Sequence, residues 1–247
     1  MHKVQILFLA TISTMLISCS TGINVELEWE VYRKAKDRLD YSTAANALNR
    51  ILVTDESNPS TYDSLAVIYF GSGLNQAAAK TSQQGLEKHE TVTLVEISAN
   101  SRKNLGDNEG SLQAFLRLME MKPGDLKLPY EIAFAYINLQ QFDQAHKYID
   151  LVVAHDKSAT TAMVEVINNS RQQVPYKAVA LNMRGFIHMQ KAEYQQAADA
   201  YQQSLNVFPD YLLAQNNLKY LVAQASAGAE YSKIDVGEQP IPSNFID

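Results

Sequence analysis

The sequence predicts an all-α fold, a stack of antiparallel helix hairpins closed by one capping helix. Three observations predict it. Small residues recur at Ala44, Ala78, Ser111, Ala145 and Ala197, with steps of 34, 33, 34 and 52 residues, so three consecutive steps agree to within one residue. A second set, Ala66, Ala99, Ala133 and Gly185, precedes four of them at a fixed offset of 12; two small residues on facing helices let the backbones of a hairpin cross closely. Prolines at Pro123 and Pro209 stand where the second helix of a unit must stop, because proline lacks an N–H and clashes with the preceding turn. Apolar content of 46% with 19% charge over 247 residues is that of a globular chain. One hairpin cannot bury its apolar face alone, so neighbours must stack.

The elements follow in order. Residues 25–58 carry Val31, Ala35, Tyr41, Ala44, Leu48 and Ile51, with Tyr32 where a small residue belongs. Residues 59–91 carry Tyr62, Leu65-Ala66, Tyr69, Gly73, Ala78 and Ser82. Residues 92–125 carry Val95, Ser98-Ala99, Arg102, Gly106, Ser111, Phe115, Leu118 and Pro123. In 126–159, Ile132-Ala133, Tyr136, Phe142, Ala145, Ile149 and Val152 fit, while Pro129 takes the place of a large residue. The last hairpin, 178–211, has Leu181, Arg184-Gly185, His188, Ala197, Tyr201, Ser204 and Pro209. The step of 52 marks an insertion, about 160–177. Ser158 is a plausible helix N-cap, Met163, Val164, Val166 and Ile167 give an apolar face, and Asn168-Asn169-Ser170 breaks it, so a short filler helix is expected, or a lip over one end of the array. Pro175 suits the first residue of the helix that follows. A capping helix over 212–224 points Leu218 and Leu221 inward and Gln215, Asn216, Lys219 and Gln224 to water. Residues 225–247 have no helical period, and a flexible tail is expected.

The 178–211 copy resembles the tetratricopeptide repeat, whose pattern has Trp, then Leu-Gly, Tyr, Ala, Phe and Pro at these spacings; Arg184 and His188 replace its Leu and Tyr. The resemblance implies a right-handed α-solenoid of about five such hairpins plus the C-terminal cap. It also implies peptide binding on a concave face built from first helices. The positions that fall there are Phe70, Asn100, Lys103, Tyr130, Phe134, Asn138, Asn182, Phe186, Met189, Asn216 and Tyr220. Aromatics alternate with amides in this set, which suits an extended peptide: Asn and Gln pair with both backbone groups while Phe, Tyr and Met hold side chains. For Phe134 and Phe186 the competing role is packing between repeats. The family's charged groove for a terminal carboxylate is hinted at by Asn100 with Lys103 alone. A different occupant of the groove would be the tail, through Ile241 and Phe245.

The amino end carries an address. After Met1-His2-Lys3, residues 4–18 are uncharged and mostly apolar, too short at ~1.5 Å per residue for a ~30 Å hydrocarbon core and fitting a signal peptide over 1–18. Leu16-Ile17-Ser18-Cys19 resembles the bacterial lipobox, and Cys19 is the chain's only cysteine. That count excludes an intramolecular disulfide and a multi-cysteine metal site. The resemblance implies lipidation at Cys19 followed by a linker over 19–24, with acyl chains, palmitate among them, holding the protein at a membrane. Ser20, rather than aspartate, implies the outer membrane, and the absence of an acidic run favours its periplasmic face.

A formal charge of −6 gives no net attraction to phosphate backbones, so no nucleic-acid partner is expected. Neither a GxSxG elbow, an HExxH, a P-loop nor a GxGxxG occurs. His89, His146, His155 and His188 include no i, i+4 pair; His188 fills an aromatic slot and a packed role is expected, with His146 and His155 at the surface. No catalytic residue, metal site or cofactor is assigned. The expectation is a lipid-anchored periplasmic adaptor for envelope proteins or peptides. An enzyme or small-ligand binder on the same scaffold, and a structural lipoprotein that self-associates through solenoid ends or tail, are the alternatives.

Overall fold

A computed structural model describes residues 22–167 and 169–227. The leader, Cys19, Ser20 and the tail positions Ile241 and Phe245 lie outside the described residues. Eleven helices and one two-stranded sheet make up the described chain, which divides into two compact units, Met1–Glu56 and Ser57–Asp247. The all-α solenoid class holds, with a β-hairpin as its one departure.

The first unit contains the hairpin of α1 (Val25–Asp37) and α2 (Tyr41–Thr54). Asn24 caps α1 through Leu27 N–H, and Asp40 caps α2 through Thr43 N–H, each supplying an acceptor to an orphan donor. Ala44, Leu48 and Ile51 are fully buried, and Tyr32 occupies its small-residue slot by lying edge-on to Trp29 at 5.4 Å.

The second unit stacks three hairpins, an insertion, a fourth hairpin and the cap. The hairpins are α3 (Pro59–Gly71) with α4 (Asn75–Leu86), α5 (Val92–Asn104) with α6 (Asn108–Met121), α7 (Lys127–Asn138) with α8 (Phe142–Ala154), and α9 (Tyr176–Gln190) with α10 (Tyr194–Val207). The cap α11 spans Leu212–Ala227, three residues beyond the expected end. The small residues sit where the spacing places them: Ala66, Ala78, Ala99, Ala133, Ala145 and Ala197 have no exposed surface. At Gly185 the crossing leaves no room for a side chain, since an added Cβ would run into the Tyr201 ring. Two serines at crossings tie the helices directly: Ser111 Oγ donates to the Ala99 carbonyl at 3.0 Å and Ser204 Oγ to that of Ala178 at 2.7 Å. Both are buried donors whose desolvation is offset in this way.

The turn inside each hairpin repeats as faithfully as the crossing. Leu39, Gly73, Gly106, Gln140 and Ala192 all have φ between 56 and 75°, and each stands five residues before its small residue. Glycine adopts this left-handed region freely, whereas Leu39, Gln140 and Ala192 hold it against a steric cost of ~1–2 kcal/mol.

The insertion is not a helix. β1 (Ala162–Ile167) and β2 (Ser170–Pro175) pair antiparallel, with Ile167 opposite Ser170 and Asn169 at φ 62°. Period two explains the correction: Met163, Glu165 and Ile167 face the body while Val164 and Val166 face solvent, and three β-branched residues in six favour a pleated strand over a helix. Ser158 is buried in the turn that precedes β1, not a cap, and Pro175 ends β2 and occupies the N-cap position of α9. Ile167 and Val174 enter one hydrophobic core that runs from Leu126 to Leu221.

Candidate functional site

The predicted face can be followed helix by helix through the second unit. Phe70 near the end of α3, Phe134 on α7, and Phe186 and Met189 on α9 are all half-buried, and Tyr220 on α11 is exposed. Phe134, Tyr130 and Met189 pack against the long core with one side. Tyr130 also meets the Tyr176 ring edge-on at 5.6 Å. Tyr130, Phe134 and Met189 are thus seated in the stack rather than standing clear of it.

The amides are placed differently. Asn182 and Asn216 are buried, 1% and 5% exposed, so the expectation that Asn216 faces water is corrected: at this step α9 and α11 cover both. Asn182 Oδ1 accepts from Asn217 Nδ2 at 2.9 Å, while its own Nδ2 is a buried donor that meets no acceptor among the described residues. Asn138, exposed, donates to Asn108 Oδ1 at 3.3 Å, and Asn104 donates to Asn75 Oδ1 at 3.1 Å in the unit before. Lys191 to Asp143, at 2.8 Å, is the same rung one unit later. These contacts join the end of each first helix to the start of the preceding second helix, so part of the amide set links neighbouring hairpins. Asn100 bonds back to the Glu96 carbonyl at 2.8 Å.

Lys103 is committed as well. Its Nζ lies 2.8 Å from Glu131 Oε2, and Glu131 is buried on α7. A buried carboxylate needs a cation, and removing Lys103 would leave the charge uncompensated. Lys103 therefore links α5 to α7, while Asn100 bonds within α5.

Sequence reasoning missed a polar cluster at the α7, α9 and α11 end of the unit. The Tyr211 hydroxyl donates to Glu165 Oε2 at 2.6 Å, bringing β1 onto the residue that precedes α11. Gln172 of β2 completes the clasp: its Nε2 donates to the Asp210 carbonyl at 2.7 Å and its Oε1 accepts from Leu212 N–H at 3.1 Å. Burial pushes the Glu165 carboxyl above the usual carboxylate range, with the Tyr211 hydrogen bond acting the other way. Burial likewise raises Tyr130, Tyr176 and Tyr211, and the Glu131 or Glu165 charge adds to it. The alternation of β1 was the one signal that could have revealed it.

His188 packs with its Nδ1 2.6 Å from Glu193 Oε2, and His146 is a half-buried neighbour, not a surface residue, its ring 5.3 Å from that of His188. Burial, then the His188 charge, holds His146 below the ordinary imidazole range. His155 meets the Gly124 carbonyl at 3.3 Å. Among the described residues no group of three or more His, Cys, Asp or Glu converges on a metal position.

A cleft of about 840 Å³ lies between α4, α5, α6 and α8, walled by Leu86, Val95, Leu116, Met119 and Tyr148. None of the predicted face residues lines it. Its rim arginines are already paired, Arg102 with Asp107 at 2.8 Å and Arg117 with Glu90.

Residues 178–211 match the tetratricopeptide repeat family. The match covers one repeat. Solved structures extend the likeness across the array. YrrB, described as a tetratricopeptide-repeat protein with an unusual peptide-binding site, aligns over 74% of this chain and 86% of its own at 16% identity, TM-score 0.61. A MamA structure aligns over 74% of this chain and 91% of its own at 14% identity, TM-score 0.60. A tetratricopeptide-repeat protein from Parabacteroides merdae covers 84% of this chain and 76% of its own at 16% identity, TM-score 0.62. At such identities the likeness is one of fold, and with the repeat match it supports a tetratricopeptide-repeat scaffold. No curated protein sequence matches the chain.

Proposed function

We propose that this protein is a non-enzymatic adaptor that binds an extended peptide segment of a partner along the first helices α5, α7, α9 and α11, tethered through Cys19 to the periplasmic face of the outer membrane. The observation that carries the binding reading is that Phe134, Phe186 and Met189, on successive first helices, are only half-buried. Half-exposed aromatics gain contact area when a side chain covers them. Solvent-exposed Tyr220 extends this stripe onto the cap.

The tether rests on the Leu16-Ile17-Ser18-Cys19 sequence. No described helix is long and apolar enough to cross a membrane. Partners are accordingly envelope proteins met at that surface.

Affinity capture from crosslinked cell envelopes tests both halves. Phe134→Ala combined with Phe186→Ala is expected to lose a specific prey while the circular dichroism spectrum is kept, and unchanged capture would remove the stripe from the interface. Cys19→Ser is expected to move the protein from the membrane pellet to the soluble fraction. Unaltered sedimentation would refute the lipid tether and leave the peptide site standing.

A further inference from the structure

The free edge of β1 is an interaction surface of a different kind, unrelated to the aromatic stripe. The ladder sets which backbone groups it offers. Tyr176 N–H bonds the Thr161 carbonyl at 3.0 Å, and Met163 is registered with Val174, so the odd-numbered residues of β1 exchange bonds with β2. The N–H and C=O of Ala162, Val164 and Val166 therefore point away from β2. Among the described residues none of them meets a backbone partner.

The two edges of this hairpin are not alike. The β2 edge carries exposed Arg171 and ends in Pro175, devices that discourage strand addition. The β1 edge has no charge or proline on its outer face, only Ala162, Val164 and Val166, the valines 56% and 63% exposed. An unguarded, apolar strand edge is a template for another strand.

We propose that the occupant is the segment of the same chain that follows α11, with Ile234-Asp235-Val236 adding to β1 as a third strand. Chain length permits it. Leu212, the first residue of α11, touches the hairpin through Gln172, and the 16 residues of α11 carry the chain away by roughly 24 Å at ~1.5 Å each. An extended return at ~3.3 Å per residue takes about seven residues, which brings the chain back by Ile234. Ile234 and Val236 are β-branched and alternate with Asp235, the pattern of a strand with one apolar face to lay beside Val164 and Val166. Gly237 and Pro240 then end the run.

Amide hydrogen exchange on the full chain tests the pairing. In the native sequence the Val164 and Val166 amides exchange slowly; in Ile234→Pro they exchange at least tenfold faster with the melting temperature of the body unchanged. The reciprocal variant, Val164→Asp, is expected to speed exchange across residues 230–238. Equal rates at Val164 and Val166 with and without Ile234→Pro would overturn the proposal, as would protection that vanishes on dilution, which assigns the edge to a second copy.

Discussion

Single positions carry the tightest constraints. Gly185 faces the Tyr201 ring with no room for a methyl group. Gly185→Ala is therefore expected to cost about 1–3 kcal/mol, read as a lower denaturation midpoint in urea at unchanged slope. Replacing Tyr201 by leucine in that background should recover part of the loss, because the ring is what the new methyl meets. The turn residues argue the same way from the backbone: Leu39, Gln140 and Ala192 share the left-handed conformation of Gly73 and Gly106, so position in the repeat, not residue type, imposes it. These crossings were legible in the sequence, since close approach demands small side chains and the demand recurs with the repeat. The amides were not legible in the same way. An asparagine on a first helix looks identical whether it faces a groove or a neighbouring hairpin, and Asn182 and Asn216 turn out buried because the adjacent helix closes over them.

Elements pair in a fixed manner, and the β-hairpin is where element-level reasoning from the sequence failed. Six residues with two valines and an isoleucine satisfy a helical face or a strand, and only alternation around Glu165 discriminates. The folded hairpin clasps the loop before α11 through Gln172 and Glu165. Glu165 gives that clasp a pH dependence. Its folded-state pKa is raised, so the stability it contributes is present below the unfolded carboxylate value near ~4.3 and is lost as pH rises through the folded value. Glu165→Gln keeps an acceptor for the Tyr211 hydroxyl without a charge to bury. The variant is expected to melt higher than the parent at pH 7 to 8, with the difference shrinking toward pH 4 in a calorimetric series; a difference that grows on acidification would contradict the assignment.

Across the whole second unit, stability is distributed unevenly. One core runs without interruption from Leu126 to Leu221 and includes Ile167 and Val174 of the hairpin, while a separate, smaller cluster spans α5, α6 and α7. In a stacked array each hairpin is stabilised by its neighbours, so cooperative units follow such continuous cores. Native-state hydrogen exchange should show α7 to α10 and the hairpin opening together and last, with α3 and α4 opening earlier. Uniform protection along the stack would show that the hairpin does not join these helices into one unit.

The sequence by itself determined the repeat, its helix pairs, their crossings and the cap, because each is imposed by contacts a few residues to one period apart. It also carries the lipobox-like cysteine Cys19, which lies outside the described residues. Tertiary structure alone decided which polar side chains are available. Lys103 is taken by Glu131, Asn138 by Asn108 and Asn182 by Asn217, pairs separated by 28 to 35 residues and formed only when hairpins stack. It decided the fate of the insertion too, since whether Glu165 turns inward depends on a tyrosine 46 residues further along the chain.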